Sequence, residues 1–424
     1  MSIPVGNTDE QDALLSIGDR LASPPRKLTP KRPQSDKAGL ADVFPYYAGF
    51  SFEWAKTQLS FEADVNNSVI LDPWNGSGTT TLAARANGIR SIGVDLNPIA
   101  NIVARLRAQV GSNIELCPTP IASRSRISES DPLLAWFSKR TANRVRQWSK
   151  ALSLLPHTKA TLGYVALFRV TRSLTTRFEG SNPTWVRRAS SAEDAVDVTQ
   201  HRLDNMIVQA QEDLIKRLAG ESYSEASVSI IRSSSTHLPI AESSVDFILT
   251  SPPYLTRIDY AVAYSRELAI LGFDIYQDRT LRSALMGTTL IRPSPGALNV
   301  TRYGSIAAEL VSNISKHNSK ASSGYYLKQA RQYLDDLVTS FDEITRVSKP
   351  HAIMKLVVQD SYYKDIPIRL AEICVEEAER RGWEFVCWDQ AEVTRLLTQV
   401  NTAARAYTKG KVAETVMTLK RSQR

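Results

Sequence analysis

The stretch SVILDPWNGSGTT, residues 68–80, decides how this chain is read. SVIL is short and apolar, as a buried strand requires. Asp72 and Pro73 end it. Gly76 and Gly78 let the backbone turn tightly and come close to a ligand. TTTLAARANG (79–88) then predicts a helix closed by Gly88. SIGVDL (91–96) predicts a second strand and PIANIVARLRAQ (98–109) a second helix. Strand, helix, strand, helix at this spacing implies a parallel sheet with right-handed crossovers. Open sheets of that kind bind ligands beyond the carboxyl ends of their strands. A purely structural turn would use the same glycines.

Further out, residues 1–40 read as a basic arm around PPRKLTPKRP, either a solvated tail or a DNA-contacting segment. Residues 112–225 break the α/β rhythm. DPLLAWFSKRTANRVRQWSKAL (131–152) and AVDVTQHRLDNMIVQAQEDLIKRLAG (195–220) predict a mostly helical insertion and a possible target-recognition region. The α/β pattern resumes with strands at 227–233 and 245–254. An irregular stretch at 275–323 is a second recognition candidate. A helix (325–348), a strand (352–360), a helix (367–381) and two strands (383–390, 414–421) complete the pattern. Val-, Ile- and Leu-rich strands suit a sheet covered on both faces. The expected fold is α/β and Rossmann-like, with a catalytic domain over 41–111 and 226–424.

Composition narrows the function. The chain has 424 residues, 42% hydrophobic and 23% charged, enough to bury a sizeable core. No run of 18 apolar residues occurs, so no membrane span is expected. The N-terminus lacks an apolar signal segment, which points to the cytoplasm. Cys117, Cys374 and Cys387 are too few and too scattered for a disulfide framework or a zinc site. Cys374 and Cys387 read as buried small hydrophobes. The five histidines lack metal-ligand spacing, so no metal is expected. A net charge of +8 favours a polyanionic partner.

Three motifs carry chemistry. The Asp72–Thr80 loop opens a helix whose first N–H groups are unpaired. Asp95, ending the second strand in GVDLNP, can accept hydrogen bonds from both hydroxyls of a ribose. Asn97 is better placed than Asp95 to cap the helix that Pro98 opens. The loop lacks the Lys-Ser/Thr of a phosphate-binding P-loop, which argues against ATP and GTP. Thr250-Ser251-Pro252-Pro253-Tyr254 follows the apolar strand VDFIL. Its prolines fix φ and donate nothing, leaving preceding carbonyls to accept from an amino group. Ser251 adds an oxygen, and Tyr254 can stack on a base. A rigid turn is the plainer alternative.

In this order, DPWNGSGTT, VDLNP and TSPPY resemble the S-adenosylmethionine (SAM)-dependent DNA amino-methyltransferases of restriction–modification and related bacterial systems. The resemblance implies that Asp72, Pro73, Trp74, Gly76, Ser77, Gly78, Thr79 and Thr80 hold the methionine part of SAM. Asp95, with Leu96 beside it, would hold the ribose. Phe50, in FPYYAGFSFEWA (44–55), would pack over the methionine end. Ser251, Pro252, Pro253 and Tyr254 would hold the target amine of a base flipped out of double-stranded DNA. TSPPY looks more like the cytosine-N4 enzymes than the adenine-N6 enzymes, which more often carry DPPY. Ser233–Ser235 stand where the family often has an acid that contacts adenine. A cognate restriction endonuclease or another defence partner is implied. An RNA or tRNA base N-methyltransferase and an inactive nucleic-acid-binding subunit are the alternatives. SNPTW (181–185), among Arg172, Arg177, Arg187 and Arg188, reads as a surface turn or as part of a DNA or base pocket.

Overall fold

The computed structural model describes residues 39–47, 49–62, 67–111, 113–123, 126–180, 185–221, 223–255, 258–293, 302–319, 321–392 and 413–422, with Pro30 and Asn182. Most of the N-terminal arm and much of SNPTW lie outside them. Strands β1 (Val69–Asp72), β2 (Arg90–Asp95), β3 (Val228–Arg232), β4 (Val245–Thr250), β5 (Ser348–Gln359), β8 (Trp383–Glu392) and β9 (Ala413–Arg421) form one sheet in the order β3-β2-β1-β4-β5-β9-β8. The first five strands run parallel, and β9 runs antiparallel to both neighbours. The fold is Rossmann-like, as the motifs predicted.

The strand order places the site. After β1 the chain moves outward through β2 and β3, then returns to pair β4 with β1, Ile70 opposite Phe247. The order therefore reverses between β1 and β4, and their carboxyl ends, Asp72 and Thr250, flank the crevice.

The sheet is buried on both faces, because successive side chains point to opposite sides. Ile70, Phe247 and Leu249 join one apolar cluster; Leu71 and Ile248 join the other. The first face is covered by α1 (Phe52–Glu62), α2 (Thr79–Ala86) and α3 (Pro98–Arg107). It also takes in α4 (Lys139–Ser153), α5 (His157–Leu174) and α6 (Gln200–Ala219) from the stretch read as an insertion. Trp136, Trp148 and Phe168 are buried there with the sheet residues, so these helices share its core. The short helices α7 (Tyr260–Ala263) and α8 (Ser265–Ile270) follow β4. The irregular stretch contains α9 (Thr280–Ala284) and α10 (Ser305–Lys316); residues 294–301 and 320 lie outside the described residues. With α11 (Leu327–Val347) and α12 (Leu370–Glu379), α10 covers the second face.

Local chemistry sets the boundaries. Asn97 caps α3 by accepting from the Ile99 N–H at 3.0 Å, with Pro98 at the first helical position. Gly88, at φ +75°, ends α2. Two details depart from expectation. A hairpin of β6 (Ser361–Tyr363) and β7 (Ile366–Ile368) precedes α12, where a helix from 367 was expected. Strands of three residues are too short to show a period. Cys387, expected to be buried, is exposed, because β8 is the edge strand. Among the described residues no helix is long and apolar enough to cross a membrane, and no group of three or more His, Cys, Asp or Glu is placed to hold a metal.

Candidate functional site

A cleft opens at the carboxyl ends of β1, β2 and β4, where parallel sheets place their ligand sites. Phe50, Asp72, Pro73, Trp74, Gly76, Ser77, Thr79, Asp95, Leu96, Ser251 and Pro253 line it, so the three motifs share one wall. Gly78, Thr80, Pro252 and Tyr254 are not on its lining.

The residues off the lining have structural positions. Gly78 sits at φ +85°, where a Cβ would lie 2.8 Å from that of Ala104. Glycine there lets α2 begin against α3. Thr80 is fully buried and donates to the Asp72 carboxylate at 2.6 Å and to the Leu249 carbonyl at 3.0 Å. Tyr254 is 8% exposed and packs in the second core. Tyr333 donates to the Pro253 carbonyl at 2.7 Å, so that acceptor is already engaged.

Two buried carboxylates organise the wall. Asp72 accepts from Thr80, from Thr250 Oγ1 at 2.5 Å and from the Trp74 N–H at 3.1 Å. It thereby ties the glycine loop to the residue before Ser251. Burial pushes its pKa up to about 6, and the Thr250, Thr80 and Trp74 hydrogen bonds oppose that rise. Asp95 accepts from the Gly76 N–H at 2.9 Å and the Asn97 N–H at 2.8 Å. Burial pushes its pKa to about 6 as well, against those two N–H groups. Each carboxylate oxygen keeps lone-pair capacity beyond one backbone bond.

The aromatic side of the cleft comes from before α1 and from α7. Tyr46 stacks on Tyr264 at 4.9 Å and on Tyr260 at 6.1 Å between ring centroids. A Cβ on Gly76 would fall 2.8 Å from the Tyr46 ring, so this glycine lets the loop pass under it.

Comparison with known proteins bears on about 80% of the chain. M.BsoBI of Geobacillus stearothermophilus is 25% identical over 401 residues, covering 80% of this chain and 77% of that protein. M.AvaI of Nostoc sp. is 22% identical over 394 residues, covering 78% and 79%. Both relatives carry the name Type II methyltransferase. This agrees with the family read from the motifs. No family model matches the chain. A SAM-dependent methyltransferase from Methanosarcina mazei overlaps 85% of this chain and 94% of its own, at 10% identity and a TM-score of 0.32. That overlap is loose, and the fold assignment rests on the strand order above.

The cleft also holds groups that the motif reading passed over. Among the described residues, Trp74 Nε1, Asn75 Nδ2 and Asn97 Nδ2 are buried N–H donors without a partner, all on residues of the cleft wall. Buried donors are costly to leave unpaired, and a bound ligand relieves them. Asn75 lies inside the first motif, and Asn97 had been read only as a cap. Ser234 and Ser235 reach the wall where an acid was expected, and Ala284, Leu285 and Met286 close its far side. That last segment lies in the 275–323 stretch read as a second recognition candidate, although nothing singled out these three residues within it. Orphan donors, a buried carboxylate and a glycine turn fit a nucleoside cofactor carrying an amino-acid tail.

Proposed function

We propose that this chain methylates the exocyclic amine of a base in duplex DNA, using SAM, with cytosine N4 favoured over adenine N6. The observation that carries this reading is the junction of two half-sites. The glycine loop and Asp95 line one cleft with Ser251 and Pro253, and Asp72 bonds both Thr80 of the loop and Thr250, the residue before Ser251.

SAM supplies an activated methyl group. The residues of this chain do the positioning. Asp95 accepts from the ribose hydroxyls, and Trp74, Asn75 and Asn97 offer donors along the same wall. Phe50, 7% exposed beside the loop, packs against the methionine end. Ser251 Oγ and the Pro252 carbonyl accept hydrogen bonds from the target amine. Two such acceptors favour a pyramidal nitrogen with its lone pair aimed at the methyl carbon. Rate comes from alignment and a fixed polar environment. The base must leave the helix to reach this cleft, because stacking and pairing bury its amine. A Ser in place of the Asp of DPPY supports cytosine. The Type II methyltransferase names of the relatives support a cognate endonuclease as partner.

The test is nucleoside mass spectrometry of DNA from a host expressing the chain, with a Ser251→Ala control. N4-methylcytosine that disappears in the control is the expected result. N6-methyladenine would move the target to adenine. Methylation confined to RNA, or none that depends on Ser251, would refute the reading.

A further inference from the structure

We propose that a basic hairpin beside the cleft, carrying Arg177, Arg187 and Arg188 with the exposed Trp185, docks on the sugar–phosphate backbone of duplex DNA flanking the target base. This rests on the reading of the chain as a DNA methyltransferase and assigns the surface that would hold the duplex.

Its position is fixed by α5. Arg172, in the last turn of α5, donates to Glu267 at 2.8 Å and to the Tyr47 hydroxyl at 3.4 Å, and Tyr47 lines the cleft. The last turn of α5 therefore contacts a residue of the cleft lining. The chain then forms a short antiparallel pair in which Glu179 faces Val186. The Gly180 N–H donates to the Trp185 carbonyl at 3.0 Å, and the Arg187 N–H donates to the Phe178 carbonyl at 2.8 Å.

The backbone of this hairpin is anchored from beneath. Arg266, 1% exposed at its side chain, pairs with Glu179 at 2.7 Å. Trp136 Nε1 donates to the Arg187 carbonyl at 2.8 Å, and the Ala189 N–H donates to the Ala135 carbonyl at 2.8 Å. Such anchoring holds side chains in place before a partner arrives, which lowers the ordering cost of binding.

The outward face suits a polyanion. Arg177, Arg187 and Arg188 are exposed, and Trp185 is 53% exposed. The three arginines line a shallow groove with Phe178, Ser190 and Asp194. Asp194, the one acid in that lining, accepts from the Ser190 N–H at 2.9 Å and lies 3.9 Å from Arg177. Arg187 also donates to the Arg177 carbonyl at 2.7 Å. Arg188 lies 3.8 Å above the Tyr276 ring. Tyr276 precedes the Ala284–Met286 wall, so the groove and the target side of the cleft are neighbours in the chain. Guanidinium groups bind phosphate oxygens in a fixed fork. An exposed Trp supplies a flat apolar face for sugars or bases.

The test is binding of a short duplex, followed by anisotropy across a salt series with S-adenosylhomocysteine present. In the Arg187→Gln/Arg188→Gln double variant, the slope of log affinity against log salt becomes shallower by about two, one per phosphate contact. The KM for duplex DNA rises by roughly tenfold or more in parallel. Cofactor affinity, measured by calorimetry, stays at the wild-type value and reports an intact cleft. If the double variant loses cofactor binding, the readout passes to Arg188→Gln, whose slope falls by about one. An unchanged slope with intact cofactor binding overturns the docking face. In a wild-type protein that still methylates duplex DNA, that result leaves the methyltransferase reading standing. A wild type that methylates only RNA ends both.

Discussion

The two walls of the cleft are built differently. The glycine-loop wall, proposed to hold the cofactor, makes several bonds within its own segment, with Arg107 on Ser77 and Thr250 on Asp72 as ties from outside it. Between Asp72 and Asn97 the loop supplies its own turns, and Asp95 bonds Gly76 and Asn97 within that segment. The target wall is assembled from a distance. Tyr333 on α11 holds the Pro253 carbonyl, and Asp259 fastens the segment that carries Ala284–Met286. Asp259, 1% exposed, accepts from Arg282 at 2.9 Å, Thr289 Oγ1 at 2.7 Å and the Val262 N–H at 3.2 Å. Arg292 adds a bidentate pair with Asp336 at 2.6 and 2.7 Å. A wall tied by its own loop can persist when its neighbours move. A wall tied through other helices depends on all of them.

Asp259→Ala tests that contrast most severely. It leaves Arg282 without its buried partner, at a cost of about 3–5 kcal/mol in stability. Chemical denaturation should show that loss, and DNA methylation should collapse while calorimetric cofactor affinity persists. An equal loss of cofactor affinity would show that the walls are one unit. Ser251→Ala acts on the target wall without disturbing its ties. Methylation should slow by roughly 100–1,000-fold, with cofactor affinity at the wild-type value. A rate within a few-fold of wild type would remove Ser251 from the chemistry.

On the cofactor wall, Asp95→Ala should weaken SAM binding by roughly 10–100-fold, the loss of charge-assisted hydrogen bonds to the ribose. Duplex affinity measured without cofactor should not move. The smallest effect is in pH. Asp95 titrates at about 6, and hydrogen bonds from hydroxyls favour its charged form. Cofactor affinity should hold above pH 6 and fall as the pH drops below it, by up to about tenfold per unit. Asp95→Asn should flatten the profile, and a wild-type profile level from pH 7 to 5 would detach Asp95 from the ribose.

The contrast also explains what could be read in advance. Every strand of the main sheet was expected close to its observed place, because Val-, Ile- and Leu-rich runs bounded by Asp-Pro or Gly are local signals. The cofactor wall was legible for the same reason: Asp72, Gly76 and Asp95 stand at strand ends, which is where parallel sheets put their sites. Leu285 and Met286 were invisible, since two apolar residues in an irregular stretch carry no pattern. Tyr254 was expected on the base, yet it is packed in the second core. Its burial depends on α11, more than seventy residues downstream.

By itself, then, the sequence determined a parallel sheet with its glycine loop, its acidic strand end and its Ser-Pro-Pro turn on one edge. Local hydrogen bonding and side-chain period are enough to specify those. Only the tertiary structure decided that the Pro253 carbonyl is engaged by Tyr333, which N–H donors lack partners among the described residues, and that the Arg187 carbonyl is held by Trp136 while its side chain is exposed. Those properties belong to pairs of residues far apart in the chain, and they exist only once burial has brought the pairs together.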